Sequence, residues 1–144
     1  MSSDMSSLEP WSTRAYALLR IVVGYLYLMH GSAKLLHMPH VAMFDQLQIA
    51  SLIGVAGILE LVGGALVLVG LFVRPVAFIL SGEMAVAYFM AHASKGWVLV
   101  PLINQGEAAV LYCFAFLYFA AAGAGIWSID AARRPSRPAA ASTA

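Results

Sequence analysis

The sequence predicts an all-α integral membrane protein, a four-helix bundle with both termini in the cytoplasm. Three observations carry this expectation. The 144 residues are 62% hydrophobic and only 10% charged, whereas soluble domains average about 45–50% apolar and about 25% charged residues. Four continuously apolar stretches approach the roughly 20 residues a spanning helix needs. Lysine and arginine are divided unequally between the two sets of helix ends.

The elements follow in order. Residues 1–13 form a polar N-terminal tail. The spans fall at about 14–36, 50–72, 75–94 and 107–127 within a single domain over residues 14–130, and 131–144 is a Ser/Ala/Pro-rich C-terminal tail expected to be disordered. The runs show no period-2 alternation, so helices fit and a barrel does not. Pro75 suits the first turn of the third helix. The first apolar run has a short core at 21–29 followed by "GSA", as in a cleaved signal peptide. Apolar character resumes through Leu36, which favours a retained helix.

Arg14, Arg74, Arg133, Arg134 and Arg137 lie at one set of ends, with only Lys34 and Lys95 at the other. The arginine-rich ends are therefore assigned to the cytoplasm, and the connections 37–49 and 95–106 to the outside. Trp11 and Trp127 fall at the inner interface and Trp97 at the outer one. A net charge of +1 without a basic stripe excludes a nucleic-acid partner. The single cysteine, Cys113, provides neither an intrachain disulfide nor a C-x-x-C redox pair.

Chemistry is concentrated in seven ionisable residues within or at the ends of the spans: Arg20, His30, Lys34, Glu60, Glu83, His92 and Glu107. A charge at the bilayer centre costs about 2.5–3.5 kcal/mol on insertion scales, so such residues face the bundle interior and pair. Helical rise places Arg20 and Glu83 at similar depths, roughly 9 and 12 Å from the inner ends of their helices, as a structural ion pair. His30, Lys34, Glu60, His92 and Glu107 form a polar column in the outer half. Gly57, Gly63 and Gly64 share the helical face of Glu60, where they permit close packing of a neighbour or leave room for a flat ligand.

Two readings of the column stand side by side. In one, the charges are packing pairs that lock small helices together. In the other, they are a site for a polar headgroup, a quinone or protons. His30, Lys34 and His37 share a face, and His40 with Met29, Met38 and Met43 adds ligands suited to reduced copper. There is no H-x-x-x-H, no C-x-x-C and no tight His/carboxylate cluster, so no metal site is expected. A haem would need axial ligands on facing helices, for which His30 and His92 are the candidates. His37 and His40 are read as interfacial.

The residues resemble the DoxX family of small four-helix bacterial inner-membrane proteins. The resemblance covers most of residues 15–130 and rests on an ordered set: "HGSAKLL", "ELVGGALVLVGLFVRPVA", "AVAYFMAHA", "NQGEAAVLYCF" and "AAGAGIWSID". It implies a bundle with cytoplasmic termini in the inner membrane. It also implies a link to thiosulfate–quinone electron transfer or to complexes handling oxidative stress. On this basis the leading expectation is a redox-linked membrane subunit binding a quinone-type or other small ligand. It would act with a partner redox enzyme, since the chain has no self-contained catalytic motif and no assigned catalytic residue. The alternatives are a non-catalytic scaffold that anchors a partner enzyme, and a carrier for protons or a small solute. The lipid bilayer is the first partner, and association with further copies of the chain is a further expectation.

Overall fold

The computed structural model describes residues 5–134. The expected tails at 1–4 and 135–144, and with them Arg137, lie outside the described residues. Among the described residues the chain is helical with no strand: α1 (Met5–Leu35), α2 (Leu52–Val69), α3 (Val73–Ala87), α4 (Pro101–Asn104), α5 (Glu107–Ala122) and α6 (Ile129–Ala132). A 3₁₀ turn covers Ala42–Phe44, and α3 runs on through a π turn at Tyr88–His92 and a 3₁₀ turn at Ala93–Lys95.

Local chemistry sets these boundaries. Ser51 starts α2 by accepting the Gly54 N–H at 3.1 Å. Gly70 ends it at φ +73°, and the Leu71 N–H closes back on Leu66 O at 2.9 Å, a left-handed cap that glycine adopts without Cβ strain. The turn into α3 is held from a distance: both carboxylate oxygens of Asp130 accept the Phe72 and Val73 N–H groups, at 2.9 and 3.0 Å. Gly123, at φ +91°, stops α5 short of the expected end near 127. Helix α1 starts nine residues before the expected span, at Met5 rather than 14.

Helix α2 and the run Val73–Lys95 are long and apolar enough to cross a membrane. Helix α5 is apolar but 16 residues long. Helix α1 has the length, but Arg20, His30, Tyr16, Tyr25 and Tyr27 dilute its apolar character.

Packing is organised as two intimate pairs, α1 with α2 and α3 with α5, joined mainly through α2 and α3. The first pair is set by glycines. A Cβ on Gly24 would lie 2.6 Å from Leu68 N, on Gly31 2.2 Å from Leu61 N, and on Gly64 2.5 Å from Leu28 N. The two backbones therefore touch, as small-residue interfaces allow where apolar burial cannot drive association. Tyr27, Leu80, Phe116 and Phe119 fill the space between the pairs, with Tyr27 edge-on to Phe116 at 4.7 Å. Ser81 donates to Cys113 O at 2.8 Å and ties α3 to α5.

The distribution of polarity is inverted relative to a soluble protein. Arg20, Glu60, Ser81 and Asn104 are buried, while Leu18, Val22, Ile58, Val62, Phe78, Phe89, Leu111 and Phe114 are exposed. A surface of this kind is stable against hydrocarbon, not water.

Candidate functional site

The polar centre of the molecule is a cluster contributed by four helices. Tyr27, His30 and Lys34 occur at i, i+3 and i+7 along α1 and so share one face. Lys34 Nζ lies 2.6 Å from Glu60 Oε1 on α2. The Tyr27 hydroxyl donates to Glu83 Oε2 on α3 at 2.9 Å. Tyr112 on α5 closes the group, 5.4 Å from the Tyr27 ring and 6.0 Å from the His30 ring. Glu83 is within electrostatic range of Glu60 and Lys34, and Glu60 within range of His30.

Two features give this cluster chemical potential. Glu60 is 3% exposed, and its second oxygen, Oε2, has no hydrogen-bond partner; Glu83 Oε1 is likewise buried and unpartnered. Buried polar atoms in folded proteins are nearly always bonded, and these two carboxylate oxygens, with Arg20 Nε, are the exceptions among the described residues. The cluster also sets two carboxylates against one lysine, an imbalance of charge inside an apolar helix set. It can accept hydrogen bonds from a polar headgroup and pass protons through the Tyr27 hydroxyl and the His30 ring. His30 itself is exposed, with Nδ1 bonded to Leu26 O of its own helix at 2.8 Å.

The expected Arg20–Glu83 ion pair does not form. Arg20 is fully buried, and its guanidinium donates to the carbonyls of Val67 (2.6 Å), Leu68 (2.8 Å), Ile126 (3.4 Å) and Trp127 (2.7 Å). The carbonyls at the end of α2 lack a full set of intrahelical partners and are already in place, and the guanidinium is taken up by them.

The five-residue polar column is also not one site. Among the described residues Glu60 is paired only with Lys34. His92 Nδ1 meets Asn104 O at 3.2 Å, and its ring stacks on Tyr88. The π turn at 88–92 lowers the turn angle per residue, so His92 does not keep the direction a regular α-helix would give it. Asn104, 1% exposed, is the hub of that second network. It donates to the Tyr88 hydroxyl at 2.9 Å and to Trp97 O at 3.2 Å, and its Oδ1 accepts the Gly106 N–H at 2.9 Å. Glu107 is exposed and lines a separate groove with Leu99, Pro101 and Leu111.

The glycines near Glu60 divide by partner. Gly57 faces Lys34 Cβ and Leu35, Gly63 faces the Leu80 side chain, and Gly64 faces the Leu28 backbone. Sequence reasoning passed over Tyr27, Tyr112, Gly24 and Gly31. The i, i+3, i+7 spacing of Tyr27 with His30 and Lys34 was the available signal. Of the remaining histidines, His40 pairs with Asp45 at 2.8 Å on the exposed 37–49 connection.

The DoxX family's sequence model matches residues 15–93, which spans α1, α2, α3 and the π turn. A Haemophilus influenzae protein described as uncharacterized is 44% identical over 133 residues, covering 88% of this chain and 96% of that protein. No solved structure matches the chain significantly. Over more than half its length, including Tyr27, Lys34, Glu60 and Glu83, this chain is a membrane protein that belongs to the DoxX family.

Proposed function

We propose that the protein is a multi-pass four-helix bundle of the bacterial inner membrane, with both termini cytoplasmic. In this reading it serves as a redox-linked membrane subunit. The cluster of Tyr27, His30, Lys34, Glu60 and Glu83 receives a quinone-type headgroup and exchanges protons with it. One observation carries the reading: two buried carboxylates on adjacent helices each keep one oxygen without a partner. A purely structural ion pair would satisfy those atoms internally. Electrons would be supplied or taken by a partner redox enzyme.

The test is titration of the purified protein with a soluble ubiquinone analogue, in wild type and Glu60→Gln. Saturable binding that weakens in the variant supports the reading. Absent binding, or identical binding in both, removes it.

A scaffold role is the second reading, and one feature favours it. On the 97–103 connection Trp97, Leu99, Leu102 and Ile103 are all exposed. An apolar rim of this kind fits against a membrane-embedded partner as well as against lipid. Repeated recovery of the protein alone from mild-detergent pulldowns would remove it.

A further inference from the structure

At the opposite end of the long helices lies a groove of ≈310 Å³, between the start of α3, the end of α5 and α6. Its lining includes Phe72, Arg74, Gly123, Asp130 and Arg134. It shares no residue with the Lys34–Glu60 cluster, so the argument is independent of the quinone reading.

The one acidic group in the groove is already engaged. Asp130 accepts the Phe72 and Val73 N–H groups, at the positive end of the α3 dipole. Arg74 is fixed in place, with its Nη atoms donating to the carbonyls of Ala120, Ala121 and Ala122 at 3.3, 2.7 and 3.4 Å. Its Nε faces Gly123, where a Cβ would stand 3.2 Å away, so glycine keeps that side open. Arg134 is exposed, and its side chain has no hydrogen bond or ion pair among the described residues. Arg133 sits beside it, 5.7 Å from the Phe72 ring. Two arginines, Arg74 and Arg134, thus line the groove with Arg133 at its edge, against one aspartate whose oxygens are engaged by backbone N–H groups. Phe72, in the lining, is exposed, as are Trp127 and Ile129 on the nearby 127–129 segment of the chain.

Arginines in a groove at the ends of the long helices, beside the exposed Phe72 ring, match the chemistry of a phosphate at the headgroup level. Guanidinium binds phosphate oxygens in a bidentate fork, and basic pockets at helix ends hold anionic headgroups. We propose that this groove binds a phosphate group, presented by an anionic phospholipid or free in solution.

Native mass spectrometry of the full chain in detergent tests this, with phosphatidylglycerol, phosphatidylcholine or inorganic phosphate added separately. Wild type retains phosphatidylglycerol over phosphatidylcholine. The Arg133→Gln/Arg134→Gln variant, altered only at exposed side chains, loses that preference by about five-fold per arginine. Arg14→Gln, at the same end but outside the groove, keeps it. Retention of inorganic phosphate without lipid preference, again reduced in the double variant, assigns the site to soluble phosphate. Equal retention of both lipids that the double substitution leaves unchanged, with no phosphate bound, overturns the proposal, as does an anionic preference unchanged by the double substitution.

Discussion

Replacing Lys34 with methionine isolates the role of its ammonium group. The substitution keeps most of the aliphatic stem that packs over Gly57, so little cavity forms. It removes the sole polar partner of Glu60, 2.6 Å away, whose other oxygen is already unpartnered. The two side chains are 13% and 4% exposed, so water does little to screen the loss. Breaking one side of a buried pair costs about 3–5 kcal/mol, whereas removing both charges together is near neutral or stabilising. Lys34→Met is therefore expected to lose about 3 kcal/mol or more, and Lys34→Met/Glu60→Leu to recover most of it. Reversible unfolding in mixed detergent, with increasing sodium dodecyl sulfate and followed by tryptophan fluorescence, reads both values. A loss below about 1 kcal/mol, the figure for an exposed pair, refutes the reasoning. So does a double variant less stable than either single one.

Three further outcomes are expected in the same assay. Gly31→Ala forces a Cβ against Leu61 N, and backbone cannot yield as a side chain does, so a loss of about 1–3 kcal/mol is expected. Gly82→Ala, with nothing within 4 Å, should be neutral or stabilise by up to about 1 kcal/mol. Asn104→Ala removes the side-chain bonds to the Tyr88 hydroxyl, Trp97 O and the Gly106 N–H, the last of which keeps Pro101 O at 3.0 Å, and costs about 1–3 kcal/mol. Its signature is faster hydrogen exchange confined to about residues 96–106, and unchanged exchange there would count against the Asn104 network.

The helical class and the polar interior were legible because hydrocarbon leaves so few options. Apolar runs can only be helices, and an ionisable residue within one must turn inward. Lys34 and Glu60 fell within reach by depth alone. The other contacts depended on local backbone events that spacing does not encode. Arg20 was drawn to the open carbonyls at the end of α2 and of the 126–127 segment. The π turn after Ala87 changed the direction His92 takes, and its ring meets Asn104 O. Glycines were read as neighbours of Glu60, yet the backbone contact of α1 with α2 depends equally on Gly24 and Gly31. Complementary glycines on two helices are recognisable as a pair only once the crossing is known. Asp130 capping α3 from 57 residues away is the same kind of long-range fact.

The central claim is that the Glu60 cluster is a ligand site and not only a lock between helices. Quinone-analogue affinity of the Lys34→Met/Glu60→Leu variant tests it most directly, because that variant is expected to recover most of the stability that Lys34→Met loses. The account predicts a folded protein whose quinone Kd rises at least about ten-fold, the loss of about 1.4 kcal/mol of headgroup interaction. A folded variant that binds the quinone with wild-type affinity would contradict it.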